Sequence, residues 1–194
     1  MKILAILLFN LCSLTSYSQG IKTDSLYTLP TPDHWGVERF PIPIGFAPQI
    51  PYKGVEDIRF TPGWAKATSD EYWSYAFLWY LDGKIQMDTK IIERNLQQYY
   101  SGLINANGSD TLSAIEASFK EVSKENNDLK TYLGTISLFD YMAKQPMVLN
   151  CKVHIASCTN KTKTFIFYEL SPKPLYHAIW QSLDTLWADF KCKK

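Results

Sequence analysis

The residues best suited to acid–base chemistry lie on a predicted strand near the C-terminal end of the chain. His154 falls in the segment MVLNCKVHIAS on the same face as Lys152 and Asn150, and the next predicted strand carries Tyr168 and Glu169. An imidazole beside an acid can act as a general acid or base. One histidine alone does not make a catalytic site. We therefore expect a hydrogen-bonded surface histidine and keep His154 as the one catalytic candidate.

The chain lacks the motifs of several common chemistries. Its three histidines show no HxH, HxxxH or HExxH spacing, so we predict no metal site. There is no GxSxG elbow, P-loop or GxGxxG run, which removes the usual sequence support for acyl transfer and for nucleotide chemistry. We expect no cofactor.

A dense group of charges, Glu56, Asp57 and Arg59, lies in the segment GVEDIRFTPGW. Paired carboxylates could serve acid–base catalysis. In an extended chain, however, Asp57 and Arg59 project to the same side. This arrangement favours an ion pair that fixes the segment to the rest of the protein.

Aromatic residues make up 14% of the chain, with six Trp and 12 Tyr, and such rings stack on sugars and line apolar pockets. Core packing accounts for most of them. Trp35, Tyr52 and Trp64 instead lie in irregular segments that contain Pro and Gly, where a ring can be exposed. With Asp57 and Arg59 they form the candidate binding residues for a small molecule, a glycan or an envelope protein.

The N-terminus predicts export. Residues 1–18 have a basic Lys2, an apolar run and small residues at Ser16 and Ser18, the pattern of a cleaved signal peptide. Cleavage removes one base and no acid, which leaves 19 basic and 19 acidic residues. A neutral chain lacks the basic footprint that nucleic-acid binding requires. We expect a periplasmic or extracellular protein with no transmembrane anchor after cleavage.

Residues 19–63 are predicted to form an extended arm. Seven of the ten prolines fall between residues 30 and 62, which excludes regular helix there. The segment is also rich in aromatic residues, unlike a disordered linker, so we expect it to pack on the body through its rings. Residues 55–60 alternate as a short edge strand would.

Residues 64–194 are predicted to form a single α+β domain. The segment YWSYAFLWYLDG is apolar on both faces, as in a strand covered on both sides. A helix follows from an N-cap at Asp88 to about Asn105, then four strands in a meander, and then a helix from about Tyr176 to Cys192. The expected architecture is an antiparallel sheet of about five strands in the order β-α-β-β-β-β-α, with the long helix on one side and the C-terminal helix, or the arm, on the other.

This order resembles the cystatin-type topology, in which an antiparallel sheet wraps one helix, and a sheet with a final helix also resembles the PsbP/Mog1 group. The segments FAPQIPYKGVEDIRFTPGW and EYWSYAFLWYLDG resemble a group of exported, uncharacterised proteins of Bacteroidota. The resemblance covers about a third of the chain and implies no active site. A shared fold alone implies no function.

The mature chain has an odd number of cysteines: Cys151, Cys158 and Cys192. In an oxidising compartment they can form at most one intramolecular disulfide. Cys151 and Cys158 stand about 23 Å apart on one strand, too far for a bridge. An antiparallel last helix would return Cys192 to the turn that contains Cys158. We predict a Cys158–Cys192 disulfide with Cys151 as a free buried thiol; three free thiols are the alternative.

Three functional hypotheses remain open. The first is a secreted or periplasmic, non-enzymatic binding or accessory domain, because the core is well patterned and no catalytic group is assembled. The second is a hydrolase or isomerase that uses His154 with an acid. The third is a structural subunit of an envelope complex.

Overall fold

The computed structural model describes residues 27–108, 114–125, 128–157 and 162–193. The predicted signal peptide lies outside these ranges. The elements are, in chain order, β1 (Tyr27–Thr28), β2 (Gly36–Ile42), β3 (Gly54–Phe60), β4 (Tyr75–Asp82), α1 (Thr89–Ala106), β5 (Glu116–Val122), β6 (Lys130–Asp140), β7 (Gln145–Ala156), β8 (Lys163–Ser171), α2 (Ile179–Ala188) and β9 (Lys191–Cys192). Neither helix is long and apolar enough to cross a membrane, within the part of the chain that is described.

The main sheet is antiparallel and has seven strands in the order β2-β3-β4-β8-β7-β6-β5, and β1 pairs separately with β9. The predicted α+β class with two helices is confirmed. The expectation of about five strands in the order β-α-β-β-β-β-α is wrong, because the arm adds β2 and β3 ahead of β4. Residues 55–60 are not at the edge, since β2 covers them. Pro41 is tolerated in β2 because an edge strand can leave one side of its ladder unpaired.

The predicted doubly covered strand is β4, in which every residue from Tyr75 to Trp79 is buried. Phe77 and Trp79 belong to the core beneath α1, whereas Ala76 and Leu78 belong to the core beneath α2. Alternate residues of a strand face opposite sides, so a strand with two apolar faces requires cover on both. The two helices provide that cover.

Helix α1 begins where the sequence predicts. The Asp88 side chain accepts a hydrogen bond from the backbone N–H of Ile91 at 2.8 Å, which satisfies one of the free donors at the helix start. Ile92, Leu96 and Tyr99 are buried, as their spacing predicts. The helix ends at Ala106, followed by Asn107 and by Gly108 at φ +71°.

Helix α2 is shorter than predicted. It spans Ile179–Ala188 rather than about 176–192, and the chain then extends into β9, where Cys192 pairs with Tyr27. The apolar stripe misled the prediction because Phe190 continues it: its ring packs with the same core from outside the helix, 4.9 Å from the ring of Trp187.

The connection between β2 and β3, residues 43–53, packs against α1. Ile44, Ala47 and Ile50 are buried in the core that α1 shares with the sheet. Gly102 of α1 permits this contact, because a Cβ there would lie 1.9 Å from the carbonyl oxygen of Phe46. The described arm therefore covers one side of the helix.

On the opposite side of the sheet, the predicted ion pair is present. The Arg59 guanidinium binds the Asp57 carboxylate at 2.5 Å, and both side chains are buried. Arg59 also donates to the carbonyl oxygens of Leu29 and Pro30, while the Tyr27 hydroxyl donates to Asp57 at 2.9 Å. The pair fixes the segment that contains β1 against β3.

Candidate binding site

A cavity of about 280 Å³ lies beside the C-terminal end of α1, between the helix and the strands β2, β3 and β4. We call it the aromatic cavity, because rings form most of its wall. The rings from residues 40–64 are Phe40, Phe46, Phe60 and Trp64. The rings from the rest of the chain are Trp73, Tyr75, Tyr99 and Tyr141. Ile58 and Leu103 add aliphatic surface, and Glu38 and Asn107 add polar groups.

Two rings stack on the arm side of the cavity. The centroids of Phe60 and Trp64 are 4.4 Å apart with an angle of 30° between the planes. The backbone around Trp64 is fixed by hydrogen bonds: its N–H donates to Thr61, and its carbonyl accepts from the N–H of Trp73 at 2.8 Å. Trp64, which lies in an irregular segment, is therefore held in place at the cavity wall.

Another part of the wall depends on a buried carboxylate, Asp140. One of its oxygens accepts from the Trp73 indole N–H at 3.1 Å, and the other accepts from the Tyr72 hydroxyl at 2.6 Å. The same carboxylate accepts from the backbone N–H groups of Met142 and Ala143, in the turn that carries Tyr141. Asp140 therefore positions two wall rings, Trp73 and Tyr141, whose centroids are 5.5 Å apart.

Trp73 adopts an unusual backbone conformation, with φ +52°. Non-glycine residues are uncommon in this left-handed region, and a bulky residue there is under strain. The bonds to its indole and to its backbone N–H hold Trp73 in this conformation. The wall ring is thus fixed by the surrounding structure, at a conformational cost.

The hydroxyl groups at the inner end of the cavity already have partners. The hydroxyls of Tyr75 and Tyr100 bond each other, and Tyr99 donates to one oxygen of Glu56 at 2.8 Å. Glu56 is fully buried, and burial raises its pKa to about 7 although the Tyr99 bond opposes this shift. Its second oxygen has no hydrogen-bond partner among the described residues.

Glu38 provides a negative charge at the rim of the cavity. It lies on the edge strand β2 opposite Ile58 and is exposed. Burial raises the pKa of Tyr141, and the carboxylates of Asp140 and Glu38 add to that shift, which places the Glu38 charge near the cavity wall. The described residues that line the cavity include no Lys, Arg or His.

The catalytic candidate His154 lies on the other face of the sheet, beneath α2, and not at the surface. Its side chain is 1% exposed, because the Trp187 ring of α2 stacks on it with the centroids 5.4 Å apart. The expectation of a surface histidine is therefore wrong. The sequence did not predict this burial, because a polar residue on one face of a strand does not show that a helix packs above that face.

His154 lies between two buried carboxylates. Its Nδ1 is 2.7 Å from Asp128, and its Nε2 is 3.4 Å from Glu169 without the geometry of a hydrogen bond. Asp128 also accepts from the Trp187 indole N–H at 2.8 Å and from the Thr131 hydroxyl at 2.6 Å. We call Asp128, His154 and Glu169 the ionic cluster.

The ionic cluster favours a charged imidazole. Burial alone would lower the pKa of His154, but Asp128 and Glu169 outweigh it and raise that pKa to about 9. Burial raises the pKa of Glu169 to about 7, opposed by the nearby His154 imidazole. A protonated imidazole between two acids, covered by an indole, balances charge inside the protein. It offers a substrate no direct access to the ring.

The five sequence-based binding candidates do not share one concavity. Trp64 lines the aromatic cavity. Trp35 packs against the core beneath α2, and Asp57 and Arg59 form the ion pair on that same side of the sheet. The Tyr52 hydroxyl accepts from the Asn95 side chain at 3.1 Å, beside α1. Sequence reasoning missed the other wall residues because they come from segments that are far apart in the chain.

The structure also bears on the predictions about metal sites and cysteines. Among the described residues no group of three or more His, Cys, Asp and Glu could hold a metal ion. Cys151 is a free, buried thiol as predicted, and burial raises its pKa well above the usual value. Cys158 lies outside the described residues, so the predicted disulfide stays a prediction.

No family model matches the chain, and no curated protein or solved structure shows a significant match to it.

Proposed function

We propose that this chain is a secreted or periplasmic, non-enzymatic binding or accessory domain that holds a small, mainly apolar ligand in the aromatic cavity. The observation that carries the proposal is the cavity itself, a concave site with eight aromatic residues in its wall. Small-molecule sites in proteins are concave and mostly apolar, with a few polar groups that orient the ligand. Glu38 and Asn107 are such groups here.

The volume of the cavity sets the size of the ligand. An apolar cavity of about 150 Å³ is enough for benzene, and drug-sized ligands fill roughly 300–1,000 Å³. A cavity of about 280 Å³ suits a molecule larger than one ring and smaller than a typical drug. The sequence left a small molecule, a glycan and an envelope protein open as partners. The size of the cavity favours the small molecule.

The polar groups of the cavity favour an apolar ligand over a glycan. A buried sugar needs several hydrogen-bond partners, because a polar group that loses water without a new partner costs about 1–3 kcal/mol. The hydroxyls of Tyr75 and Tyr99 already bond Tyr100 and Glu56. Displacing those bonds would leave Glu56 with no partner at all among the described residues.

The alternatives are weaker in comparison. A hydrolase or isomerase would require substrate to reach His154, whose side chain is buried beneath Trp187. A structural subunit of an envelope complex predicts a fixed partner that co-purifies from native extracts. Export itself is tested by fractionation: the cleaved chain is expected in the periplasm or the medium.

Two tryptophans provide a matched test of ligand binding. Trp64 lines the aromatic cavity, whereas Trp35 is a partly buried ring on the other side of the sheet. The probe is N-phenyl-1-naphthylamine, a neutral dye whose fluorescence rises in apolar surroundings. We expect the wild-type protein to bind it and Trp64→Ala to weaken binding at least 10-fold, with Trp35→Ala close to wild type. No binding, or equal loss in both variants, would contradict the proposal.

A further inference from the structure

The rings of the aromatic cavity present a surface that attracts positive charge. An aromatic ring carries partial negative charge on its face, and tryptophan gives the strongest cation–π interaction. Trp64 and Trp73 both line the cavity, each beside a second ring. Sites that bind quaternary ammonium groups are built from several aromatic rings in this way.

The charges around the cavity also favour a positively charged ligand. Glu38 stands at its rim with an exposed carboxylate. The neighbouring cation of β2, Arg39, points to the opposite face of the sheet, where its guanidinium lies 5.8 Å from the centre of the Tyr27 ring. Opposite faces follow from strand alternation. The described wall therefore contains one acid, Glu38, and no base.

The few free acceptors of the cavity distinguish between kinds of cation. A primary ammonium is strongly hydrated and must replace that water with hydrogen bonds. The hydroxyls of Tyr75 and Tyr99 are already bonded. The other acceptors on the described lining are the side chains of Glu38, Asn107 and Tyr141. A quaternary ammonium has no N–H to satisfy, so ring faces and a nearby carboxylate can replace its water.

We propose that the ligand of the aromatic cavity is a small soluble organic cation with a quaternary ammonium group, attracted by the ring faces and by Glu38. This inference rests on the proposed binding function and adds the chemical class of the ligand. Trp64 and Trp73 contact the methyl groups of the cation, while Glu38 acts at the rim through its charge. The uncharged part of the ligand fills the remaining apolar volume.

The test compares two molecules of the same shape. Benzyltrimethylammonium carries the charge, and neopentylbenzene replaces its nitrogen with carbon. Each competes with N-phenyl-1-naphthylamine for the wild-type protein, for Glu38→Gln, and for Glu116→Gln as control. Glu116 is an exposed glutamate on β5, the other edge strand of the sheet.

We expect the cation to bind wild type and Glu116→Gln at least 10-fold more tightly than the neutral molecule. In Glu38→Gln this preference should fall at least threefold, with the affinity for neopentylbenzene unchanged, which also shows that the cavity is intact. Equal binding of the two molecules, or equal effects of the two glutamine variants, would overturn the cation inference and leave the binding function standing. If neither molecule nor the dye binds, the proposed function itself fails.

Discussion

The two faces of the sheet handle buried polar groups in different ways. Beneath α1, tyrosine hydroxyls bond one another and the buried acids Glu56 and Asp140, and the space beside them stays open as the aromatic cavity. Beneath α2, the ionic cluster places an imidazole between two acids, and Trp187 covers it. The first face is concave and mainly aromatic around that cavity. The second uses charge to hold a short helix on the sheet.

The helices differ in ways that match this division. Helix α1 has 18 residues and shares its core with the arm, so that helix, arm and strands meet around an opening. Helix α2 has 10 residues and places Trp187 over His154. The comparison implies that substitutions beneath α2 change stability, whereas substitutions around the end of α1 change ligand binding. The following predictions test that separation in order of expected effect.

Removal of the arm should have the largest effect. A chain that begins near Gly63 lacks β2 and β3 and therefore loses two of the seven strands of the main sheet. The deletion removes Ile42, Ile50 and Ile58, whose burial is worth roughly 1.5–3 kcal/mol each. We expect the melting temperature of the mature chain to fall by more than about 10 °C, or cooperative unfolding to be lost. An unchanged melting temperature would show that the arm is a tail.

Asp128→Ala should destabilise the face beneath α2. It removes the acceptor of the His154, Thr131 and Trp187 bonds and leaves buried donors without a partner. Removing one partner of a buried charged pair costs about 3–5 kcal/mol, which urea unfolding can measure. The control is Asp70→Ala, which breaks only the exposed pair with Lys173 and should change little. Dye binding by folded Asp128→Ala should match that of the wild-type protein. A loss of dye binding would contradict the separation between the two faces of the sheet.

Cys192→Ser should also act on the α2 side. Cys192 and Ser157, the residue before Cys158, line one depression of about 220 Å³, which supports the predicted Cys158–Cys192 disulfide. Loss of such a bridge costs about 2–4 kcal/mol. Non-reducing peptide mapping should link Cys192 to Cys158, with Cys151 alkylated only after unfolding. A linked peptide that contains Cys151, or three thiols free in the exported protein, would refute the pairing.

Gly102→Ala should weaken both stability and dye binding. The new methyl group would collide with the carbonyl of Phe46, whose ring lines the aromatic cavity. Such overpacking costs about 1–3 kcal/mol. Gly45→Ala is the control, since a Cβ there meets nothing within 4 Å. Equal behaviour of the two variants in thermal melts and dye titrations would mean that the arm does not press on α1.

Glu56→Gln should alter the pH dependence of stability. The folded pKa of Glu56 is about 7, raised by burial from 4.5, so its stabilising contribution is full below pH 4.5 and is lost as pH rises to 7. Glutamine does not titrate. Between pH 5 and pH 8 the variant should therefore gain roughly 2 kcal/mol of unfolding free energy relative to wild type. Tyr99, Trp79 and Glu38 face this group and are unchanged. A difference independent of pH would contradict the prediction.

Much of the fold follows from local patterns in the sequence. The Asp88 cap, the two apolar faces of β4 and the Asp57–Arg59 pair each depend on near neighbours or on strand alternation. Strand β2 was predicted only as part of an extended arm, because the prolines between residues 30 and 62 exclude helix but do not show pairing with a neighbouring strand. Pro41 is tolerated there because β2 is an edge strand. The end of α2 was missed because Phe190 continues the apolar pattern after the helix stops.

The candidate site was less accessible to such reasoning. Of the wall residues only Trp64 was a candidate, because irregular chain suggested an exposed ring, whereas Tyr75 and Tyr99 look like ordinary core residues of a strand and a helix. Their position beside an opening depends on where the arm, α1 and the turn at Tyr141 meet. The burial of His154 depends in the same way on the path of α2. Neither the opening of the aromatic cavity nor the burial of His154 can be predicted from neighbouring residues in the sequence.

The separation of the two faces can be tested directly by nuclear magnetic resonance. The mature protein, labelled with nitrogen-15, is titrated with N-phenyl-1-naphthylamine, and amide and indole shifts are followed. If the ligand binds in the aromatic cavity, we expect the largest saturable shift changes at the indole N–H of Trp73 and at the amides of Trp64 and Leu103. The indole shift of Trp187 should not change. Saturable changes centred on Trp187 and His154, with the residues of the aromatic cavity unmoved, would contradict it.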